Sequence, residues 1–304
     1  KKETGYNIPK FRHSRILNGK DPAERRYAII RYFWVAEKMK EWAEEIKKVN
    51  KNMKVSAVLT STPIFGLERY PTGIAWDILG KMNFLDSVVV TAFTTGFDYR
   101  GTDTHYYISE TAKILSSSFP ERTKTGIITC LYSTNVEGDK NTVKRAIDGI
   151  YLPVPLRPID IYGCHIAAAF HGARILSCYD ARYVLPYLRN FSKEKYHSLK
   201  LGYDYIKKIE KYLTDGKESD EILVLISRNS EDYYQLDNAD IKRNTIDDGS
   251  EGIWIYGGWA QPSSYYAWKS NYPYPSSKGF LADKGIIHYL FKRGYIFRVK
   301  YLEQ

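Results

Sequence analysis

The sequence is poor in cysteine and contains no long apolar run. Its 304 residues include three cysteines, Cys130, Cys164 and Cys178, an odd number that cannot pair completely. Their spacing fits no zinc site. All three lie in apolar segments, which favours buried free thiols over a disulfide. No stretch reaches about 18 consecutive apolar residues, so the sequence predicts no membrane-spanning helix.

Positive charges are in excess but are not clustered. The chain has 45 Lys and Arg against 35 Asp and Glu, a formal net charge of +10. In the densest charged stretch, residues 37–54, lysines and glutamates are mixed, as on a solvated helix face with ion pairs one turn apart. A nucleic-acid surface needs basic residues gathered on one face. We therefore predict no nucleic-acid partner; the net charge is the one feature that favours such a role.

Aromatic residues, in contrast, are abundant. They make up 15% of the chain and include 27 tyrosines, while 43% of all residues are hydrophobic. Tyrosine and tryptophan have flat apolar faces with a polar edge, which suits sugar rings as well as interfaces and cores. The sequence starts at Lys1 without an initiator methionine or an apolar signal region. We expect it to be an expression product, a processed product or one piece of a longer polypeptide.

The first regular element is predicted to be a helix that begins after an irregular arm. Asp21 is a suitable N-cap, and Pro22 suits the first helical position. Apolar side chains then recur at helical spacing, and we expect core packing for their aromatic members. These residues are Ile29, Ile30, Phe33, Trp34, Met39, Trp42 and Ile46.

Four short apolar runs, at 55–59, 88–90, 127–131 and 175–179, alternate with stretches of helical character. Such alternation predicts parallel α/β units joined by right-handed crossovers. The runs are apolar throughout, which is typical of strands covered on both faces. Helical segments are expected near 76–82, 110–118 and 141–150.

The stretch from Gly163 to Tyr183 combines a small-residue helix with the fourth strand. The helix ends at a glycine, and the strand Ile175 to Tyr179 is followed at once by polar and aromatic residues. We predict that Tyr179, Asp180 and Arg182 project from the carboxyl end of this strand. Two histidines of the stretch, His165 and His171, are expected to pack near the strand as helix and cap residues.

The pattern changes near residue 195, where a smaller α/β unit is predicted. It comprises a helix at 198–213, a strand at 222–226, a helix at 279–293 and a strand at 296–299. The domains are therefore predicted to span 1–194 and 195–304. Residues 227–232 follow a strand but lack a glycine-rich phosphate loop, so we interpret them as structural.

The segments from 167 to 173 and from 175 to 182 resemble the eighth-strand region of glycoside hydrolase family 42, the β-galactosidase group. Residues 48–56 are similar to that family's entry to its fifth strand, and residues 85–89 to its sixth. The helix after the fourth strand and residues 222–232 resemble the start of its second domain. The resemblance implies the second half of a (β/α) barrel, with four strands, followed by a flavodoxin-like domain.

The resemblance also implies retaining hydrolysis by two carboxylates about 5 Å apart. The family's general acid would precede this chain. Its nucleophile ends the seventh strand, where this sequence has Tyr132, and the nearest carboxylate is Glu137. Four strands cannot close a barrel of eight. We therefore expect another chain or segment to complete it, and an oligomer.

The candidate catalytic residues are Glu137 and Asp180. The candidate substrate-binding residues are Asp98, Tyr99, Tyr132, Asn135, Tyr179, Arg182, Trp254 and Trp259. Asp180 and Arg182 form a structural ion pair in the alternative interpretation. In the alternative interpretation, two loops are simply solvated: the loop with Asp98, Tyr99, Asp103 and His105, and the loop with Glu137. The aromatic segment 253–268 stacks on sugars, forms a subunit interface or packs the core of the small domain.

The sequence thus predicts a glycoside-hydrolase-like protein that acts on or binds a carbohydrate, with neither metal nor cofactor. A non-catalytic sugar-binding or assembly protein on the same scaffold is the alternative. Fold alone does not distinguish these functions.

Overall fold

The computed structural model describes residues 22–60, 73–93, 104–130, 158–179, 189, 193–215, 222–230, 286–287 and 289–304. The first helices and strands are α1 (Pro22–Val49), β1 (Ser56–Thr60), α2 (Trp76–Met82), β2 (Ser87–Phe93), α3 (Thr104–Ser118) and β3 (Lys124–Cys130). They are followed by α4 (Pro158–Phe170), β4 (Ile175–Tyr179), α5 (Lys193–Asp215), β5 (Leu223–Ile226) and β6 (Arg298–Tyr301). Residues 286–287 and 289–293 are helical.

The first four strands form one parallel sheet in the order β1-β2-β3-β4. Ser56 aligns with Ser87 and Lys124, and Ile127 aligns with Leu176 on β4. The predicted strands and their parallel pairing are therefore confirmed, as is a mixed α/β fold. The predicted helix at 141–150 lies outside the described residues.

The helices stand in a row beside this sheet. Among the described helices, each of α1, α2, α3 and α4 contacts the one that follows it. Right-handed crossovers between strands that follow one another in one direction leave every connecting helix on the same face. The strand order of the sheet and the row of helices therefore both result from the same repeated crossover connection.

The two faces of the sheet differ in burial. The helix face carries Val88, Val90 and Ile127, all fully buried. On the opposite face Val58 is 66% exposed, and Val89 is only half-buried. The apolar runs therefore supply side chains to both faces, but the part of the chain that the structure describes buries one face more completely than the other.

Helix α3 lies between two sheets. It packs against β2 and β3 and also contacts β6, which pairs in parallel with β5. Every residue from Ile108 to Leu115 is buried, including the charged Glu110 and Lys113. The Lys113 ammonium lies 5.4 Å from the centre of the Phe297 ring, just before β6. An amphipathic helix covers one neighbour, whereas α3 is covered all round.

Two glycines allow close contacts around α3. A side chain at Gly80 of α2 would collide with the carbonyl oxygen of Ser118, at the end of α3. Gly172, which follows α4, has φ +97 and lies beside the Ser116 hydroxyl. L-residues with a side chain rarely adopt such a φ. Glycine therefore both reverses the chain after α4 and leaves room for α3.

The core-facing side of α1 differs from the prediction. Among the described side chains of this helix, Tyr32, Ala36 and Ala43 are buried, whereas Trp34 and Trp42 are exposed. Core packing was predicted for the aromatic residues Phe33, Trp34 and Trp42, which are exposed, and this prediction is wrong. Small alanines allow α1 to approach its neighbours closely around Tyr32, and Phe33, Trp34 and Trp42 lie on its other faces.

The two sheets share one continuous cluster of buried apolar side chains, to which Val90 and Ile127 contribute from the first sheet and Val224 and Val299 from the second. The predicted domain boundary at 194/195 stays a prediction. Among the described helices, none has the length and apolar character needed to cross a membrane.

Candidate functional site

The carboxyl edge of the four-stranded sheet is the place where the sequence predicts a site. The strands end there at Thr60, Phe93, Cys130 and Tyr179. The backbone register aligns Phe93 with Cys130, and Cys130 with Tyr179. Because all four strands are parallel, the segments that follow them leave from one edge of the sheet.

Among the predicted site residues, Tyr179 is the last residue of β4. The others lie outside the described residues: Asp98, Tyr99, Tyr132, Asn135, Glu137, Asp180, Arg182, Trp254 and Trp259. Their roles remain predictions. The same is true of Asp103, but His105 lies in the first turn of α3 rather than in a loop. Its ring packs against Gly163, and its Nε2 is 3.2 Å from the Asp160 carbonyl oxygen of α4.

A polar cluster lies directly behind the carboxyl ends of β3 and β4. The Nε2 atom of His165, on α4, is 3.0 Å from the Thr129 hydroxyl and 3.2 Å from the Ser177 carbonyl oxygen. Since a carbonyl oxygen only accepts hydrogen bonds, we infer that Nε2 carries the imidazole hydrogen and donates a hydrogen bond to the Ser177 carbonyl oxygen. The Tyr203 ring of α5 stacks on the imidazole at 4.9 Å, and the Cys178 sulfur lies 3.8 Å from Nε2.

Every titratable group of this cluster is uncharged at neutral pH. Burial lowers the pKa of His165 to about 4, although its hydrogen bond to Ser177 acts in the opposite direction. Burial also raises the pKa of the Cys178 thiol and of the Tyr203 hydroxyl. A thiolate nucleophile needs a lowered pKa. The cluster therefore suits support of the strand ends rather than acid–base or thiol chemistry.

The cysteines agree with the prediction of buried free thiols where they are described. Cys164 is fully buried and Cys178 partly so, and both are free. Burial, with Asp160 nearby, raises the pKa of the Cys164 thiol. The side chain of Cys130 lies outside the described residues.

The second histidine, His171, follows the last turn of α4, as predicted for a cap residue. Its ring meets Phe291 edge-on at 4.7 Å. Burial, together with the positive charge of Lys113, lowers its pKa to about 4. His171 therefore joins α4 to the helical residues before β6 as an uncharged aromatic group.

A second, charged cluster follows β5. Arg228 donates from Nε to the Asp77 carboxylate of α2 at 2.9 Å, and both side chains are buried. The guanidinium carbon lies 5.8 Å from the centre of the Tyr32 ring of α1, and Nη1 donates to Asn229. Arg228 thus connects the turn after β5 to two helices of the larger sheet.

Glu303 completes this cluster from the residues after β6. Its carboxylate accepts hydrogen bonds from the Ser227 hydroxyl and from the backbone N–H groups of Arg228 and Asn229. Burial opposes its charge, yet these donors hold the pKa of Glu303 below its usual value. The described part of residues 227–232 therefore makes contacts within the protein, in line with the structural role predicted for the segment.

Sequence reasoning singled out His165 but missed its partners. Thr129, Ser177 and Tyr203 lie on three different elements, so no local spacing connects them. Asp77 and Arg228 are likewise 151 residues apart. Within the described ranges, no three His, Cys, Asp or Glu side chains are arranged to hold a metal ion.

The sequence matches no protein-family profile, and no curated protein is significantly similar to it. The fold and the residues that follow its strands are therefore the basis for the functional conclusion.

Proposed function

We propose that this chain is a glycoside-hydrolase-like protein that acts on or binds a carbohydrate at the carboxyl edge of its four-stranded sheet. The observation that supports the proposal most directly is the uninterrupted order β1-β2-β3-β4. Doubly wound sheets reverse their strand order at a switch point. Barrel strands follow the chain order instead, with catalytic groups at their carboxyl ends. The described sheet is thus compatible with half of a (β/α) barrel.

The candidate carboxylates follow neighbouring strands. Glu137 comes after β3 and Asp180 directly after β4, and these two strands are paired. Because the strands are parallel, the segments that carry Glu137 and Asp180 both leave from the carboxyl end of the sheet, where barrel enzymes have their catalytic groups. We assign Glu137 as the nucleophile. Asp180 and Arg182 would orient the sugar, and the general acid would come from the missing half of the barrel.

The remaining candidates would bind the sugar. Tyr99, Tyr132 and Tyr179 follow or end three adjacent strands, and their rings suit stacking on a pyranose face. Asp98 and Asn135 would hydrogen-bond to hydroxyl groups. Trp254 and Trp259 would add stacking surface from the segment after β5.

Completion of the barrel is part of the proposal. Four further strands from another chain or segment would pair with the edge strands β1 and β4, and the sheet face with the exposed Val58 would line the barrel interior. The second unit, with α5 followed by the parallel pair of β5 and β6, would be flavodoxin-like. A parallel pair preceded by a helix supports this assignment.

The alternative is a non-catalytic carbohydrate-binding or assembly protein. Cys130, Leu131 and Tyr132 occupy the positions where the family has its nucleophile, and none of them is acidic. A scaffold that lost this carboxylate would retain sugar binding without hydrolysis.

The proposal is tested by assaying the chain, with and without any upstream sequence, on aryl glycosides, while sugar binding is measured by calorimetry. If the protein is active, Glu137→Gln should lower kcat at least about a hundredfold, because the nucleophile is lost. Glu121→Gln, exposed before β3 and thus at the opposite edge, is the matched control. Binding without hydrolysis would favour the alternative, and neither binding nor hydrolysis would contradict both. Full activity of Glu137→Gln would exclude Glu137 from the mechanism.

A further inference from the structure

Helix α5 carries a row of basic residues on the side that faces away from α4. Its other side packs on α4, where Leu199 is buried and a side chain at Gly202 would collide with the Tyr162 carbonyl oxygen. Spacings of three, four and seven residues place the basic side chains in one band, about 27 Å long at a rise of about 1.5 Å per residue. This basic row consists of Lys193, His197, Lys200, Lys207, Lys208 and Lys211, all of which are exposed.

Three exposed acidic residues accompany the basic row. Asp204 lies within it, one turn from lysines on both sides, whereas Glu194 and Glu210 lie about a quarter turn to either side. With His197 neutral, five lysines against Asp204 give the row a net charge of +4, and counting Glu194 and Glu210 as well still leaves +2. The helix therefore gathers on one face positive charges that are mixed with acids along the sequence.

The lysines of the basic row differ in their pairing from the lysines around α1. Five lysines on α1 or just after it form ion pairs with carboxylates, namely Lys38, Lys40, Lys47, Lys48 and Lys54. Within the described part of the chain no lysine of the basic row forms such a pair, not even with Asp204. A row of ammonium groups that is not neutralised within the protein attracts a chain of anionic groups.

Apolar and aromatic side chains run along one side of the basic row. Leu201, Tyr205 and Tyr212 are 45%, 39% and 77% exposed. Spacings of four and seven residues put them in one line beside the lysines. Tyrosine rings have flat apolar faces with a polar edge, which suits stacking on a sugar ring. The surface thus combines positive charge with stacking area.

The basic row begins at the sheet edge where the sugar site is proposed. Helix α5 runs antiparallel to β4, since its Tyr203 hydroxyl lies 3.9 Å from the Cys178 sulfur near the end of β4, and its Leu213 carbonyl oxygen accepts a hydrogen bond from Arg174 just before β4. The two intervals agree, because ten helical residues rise about 15 Å and four strand residues about 13 Å. The part of α5 before Tyr203, from Lys193 on, therefore lies at the carboxyl edge of the sheet and beyond it.

We propose that the basic row of α5 binds an acidic polysaccharide, a chain of sugar units with anionic groups, as an extension of the sugar site at the carboxyl edge. The lysines pair with the anionic groups, while Tyr205 and Tyr212 stack on sugar rings. The inference rests on the proposed function in its choice of a sugar chain as the polyanion.

Two other polyanions fit this surface less well. A membrane-surface helix buries its apolar face in lipid, but α4 covers the apolar face of α5. Nucleic-acid surfaces favour arginine, whose planar fork binds phosphates and base edges through two hydrogen bonds. Helix α5 contains no arginine. The start of the row at the carboxyl edge instead connects it to a carbohydrate site.

Calorimetry with two forms of one polymer tests the charge requirement. An oligogalacturonate carries a carboxylate on each sugar, and its methyl ester has the same sugars without the charges. We expect the acid form to bind at least about tenfold more tightly than the ester, and its binding to weaken as salt is added. Equal binding of the two forms, or no binding of the acid form, would overturn the proposal.

The double variant K207E/K211E tests the location. It should weaken oligogalacturonate binding at least about tenfold, because it reverses two charges of the row. The matched control is K51E/K81E, which changes the net charge equally at two exposed lysines outside α5 and should change binding less than about twofold. Circular dichroism verifies that both variants are folded. Wild-type affinity in K207E/K211E would contradict the assignment to α5.

Tyr212→Ala tests the stacking. Binding should weaken about threefold or more at every salt concentration, because stacking on a sugar ring is not screened by ions. Tyr295→Ala, at a ring that is 52% exposed before β6, is the control and should bind as the wild type does. Unchanged affinity in Tyr212→Ala would remove the aromatic side of the surface from the proposal.

Competition experiments separate this inference from its alternatives. Tighter binding of a single-stranded oligonucleotide of equal charge, or of anionic vesicles, would assign the row to those partners instead. Oligogalacturonate binding that K207E/K211E abolishes, in a chain that neither hydrolyses aryl glycosides nor binds neutral sugars, would contradict the proposed function and support the basic row as a separate site. Hydrolysis of aryl glycosides without oligogalacturonate binding would contradict this inference alone.

Discussion

The two buried polar clusters have the same structural role but differ in their chemistry. Both join separate elements through side chains that lie away from water. The cluster around His165 does so with groups that are all neutral, whereas the cluster around Arg228 uses a buried ion pair and a carboxylate. Neutral groups lose little when they are buried with partners, but a buried charge becomes costly as soon as its partner is removed. The first cluster should therefore tolerate substitution, and the second should not.

The largest effect is expected from Arg228→Met. It leaves the Asp77 carboxylate buried without its guanidinium, and removing one partner of such a pair costs about 3–5 kcal/mol. Urea unfolding gives the loss in the free energy of unfolding. The double variant Asp77→Leu/Arg228→Met is the control and should recover most of the stability, because no charge is then left buried. A loss below about 1 kcal/mol in the single variant would show that the pair is effectively solvated.

The next effect is a pH dependence that originates in the neutral cluster. The folded pKa of His165 is about 4, whereas the ordinary value is 6.5. Between these values the unfolded chain binds a proton that the folded chain does not, so stability falls as pH falls from about 6.5 to 4. The full shift corresponds to a loss on the order of 3 kcal/mol. His165→Gln, which retains a donor but does not titrate, should flatten the profile of unfolding free energy in this window.

His197 is the matched control for that profile. It is exposed on α5, so His197→Gln should leave the pH dependence unchanged. An identical profile for wild type and His165→Gln would contradict a buried neutral imidazole. His171, whose folded pKa is also about 4, should keep part of the pH dependence in either variant.

A smaller effect is expected from Glu303→Gln, which removes the charge of the carboxylate and replaces one of its two acceptor oxygens with an NH2 group. Neutralising a carboxylate that accepts three hydrogen bonds should cost about 1–2 kcal/mol at pH 7. Because the folded pKa of Glu303 is lowered, its contribution is lost as pH falls through that pKa, and the difference from wild type should shrink in acid. Glu210→Gln, exposed on α5, should change little. A difference that grows in acid would contradict the assignment.

The smallest effect is expected from Tyr203→Phe. The Tyr203 hydroxyl contacts only the Cys178 sulfur at 3.9 Å among the contacts described, while the ring stack on His165 survives the substitution. We expect a loss of at most about 0.5 kcal/mol, or a Tm lower by about 1 °C. A thermal melt that places Tyr203→Phe below Glu303→Gln in stability would reverse the comparison of the two clusters.

The strands of the larger sheet were predictable because each is a short apolar run rich in β-branched residues, such as Val88 to Val90. The core side of α1 was not, since alanine carries little signal and the tryptophans dominate any hydrophobic count. The polar clusters escaped prediction for a different reason. Asp77 and Arg228 meet only after the second sheet has packed on the first, and no periodicity encodes a contact of that range. The candidate catalytic residues, Glu137 and Asp180, both follow strand ends. The sequence predicts at which end of the sheet they lie, but it does not predict the distance between their side chains.

The burial of every residue from Ile108 to Leu115 in α3 has a consequence for cooperativity. Helix α3 packs against both sheets, so the separation of either sheet would expose apolar and charged side chains of α3 together. The two sheets should therefore unfold in a single transition, and partial opening should be rare. The amides of residues 108–115 should exchange with solvent only through global unfolding. In hydrogen-exchange terms, α3 then reports the stability of the whole protein rather than that of either sheet.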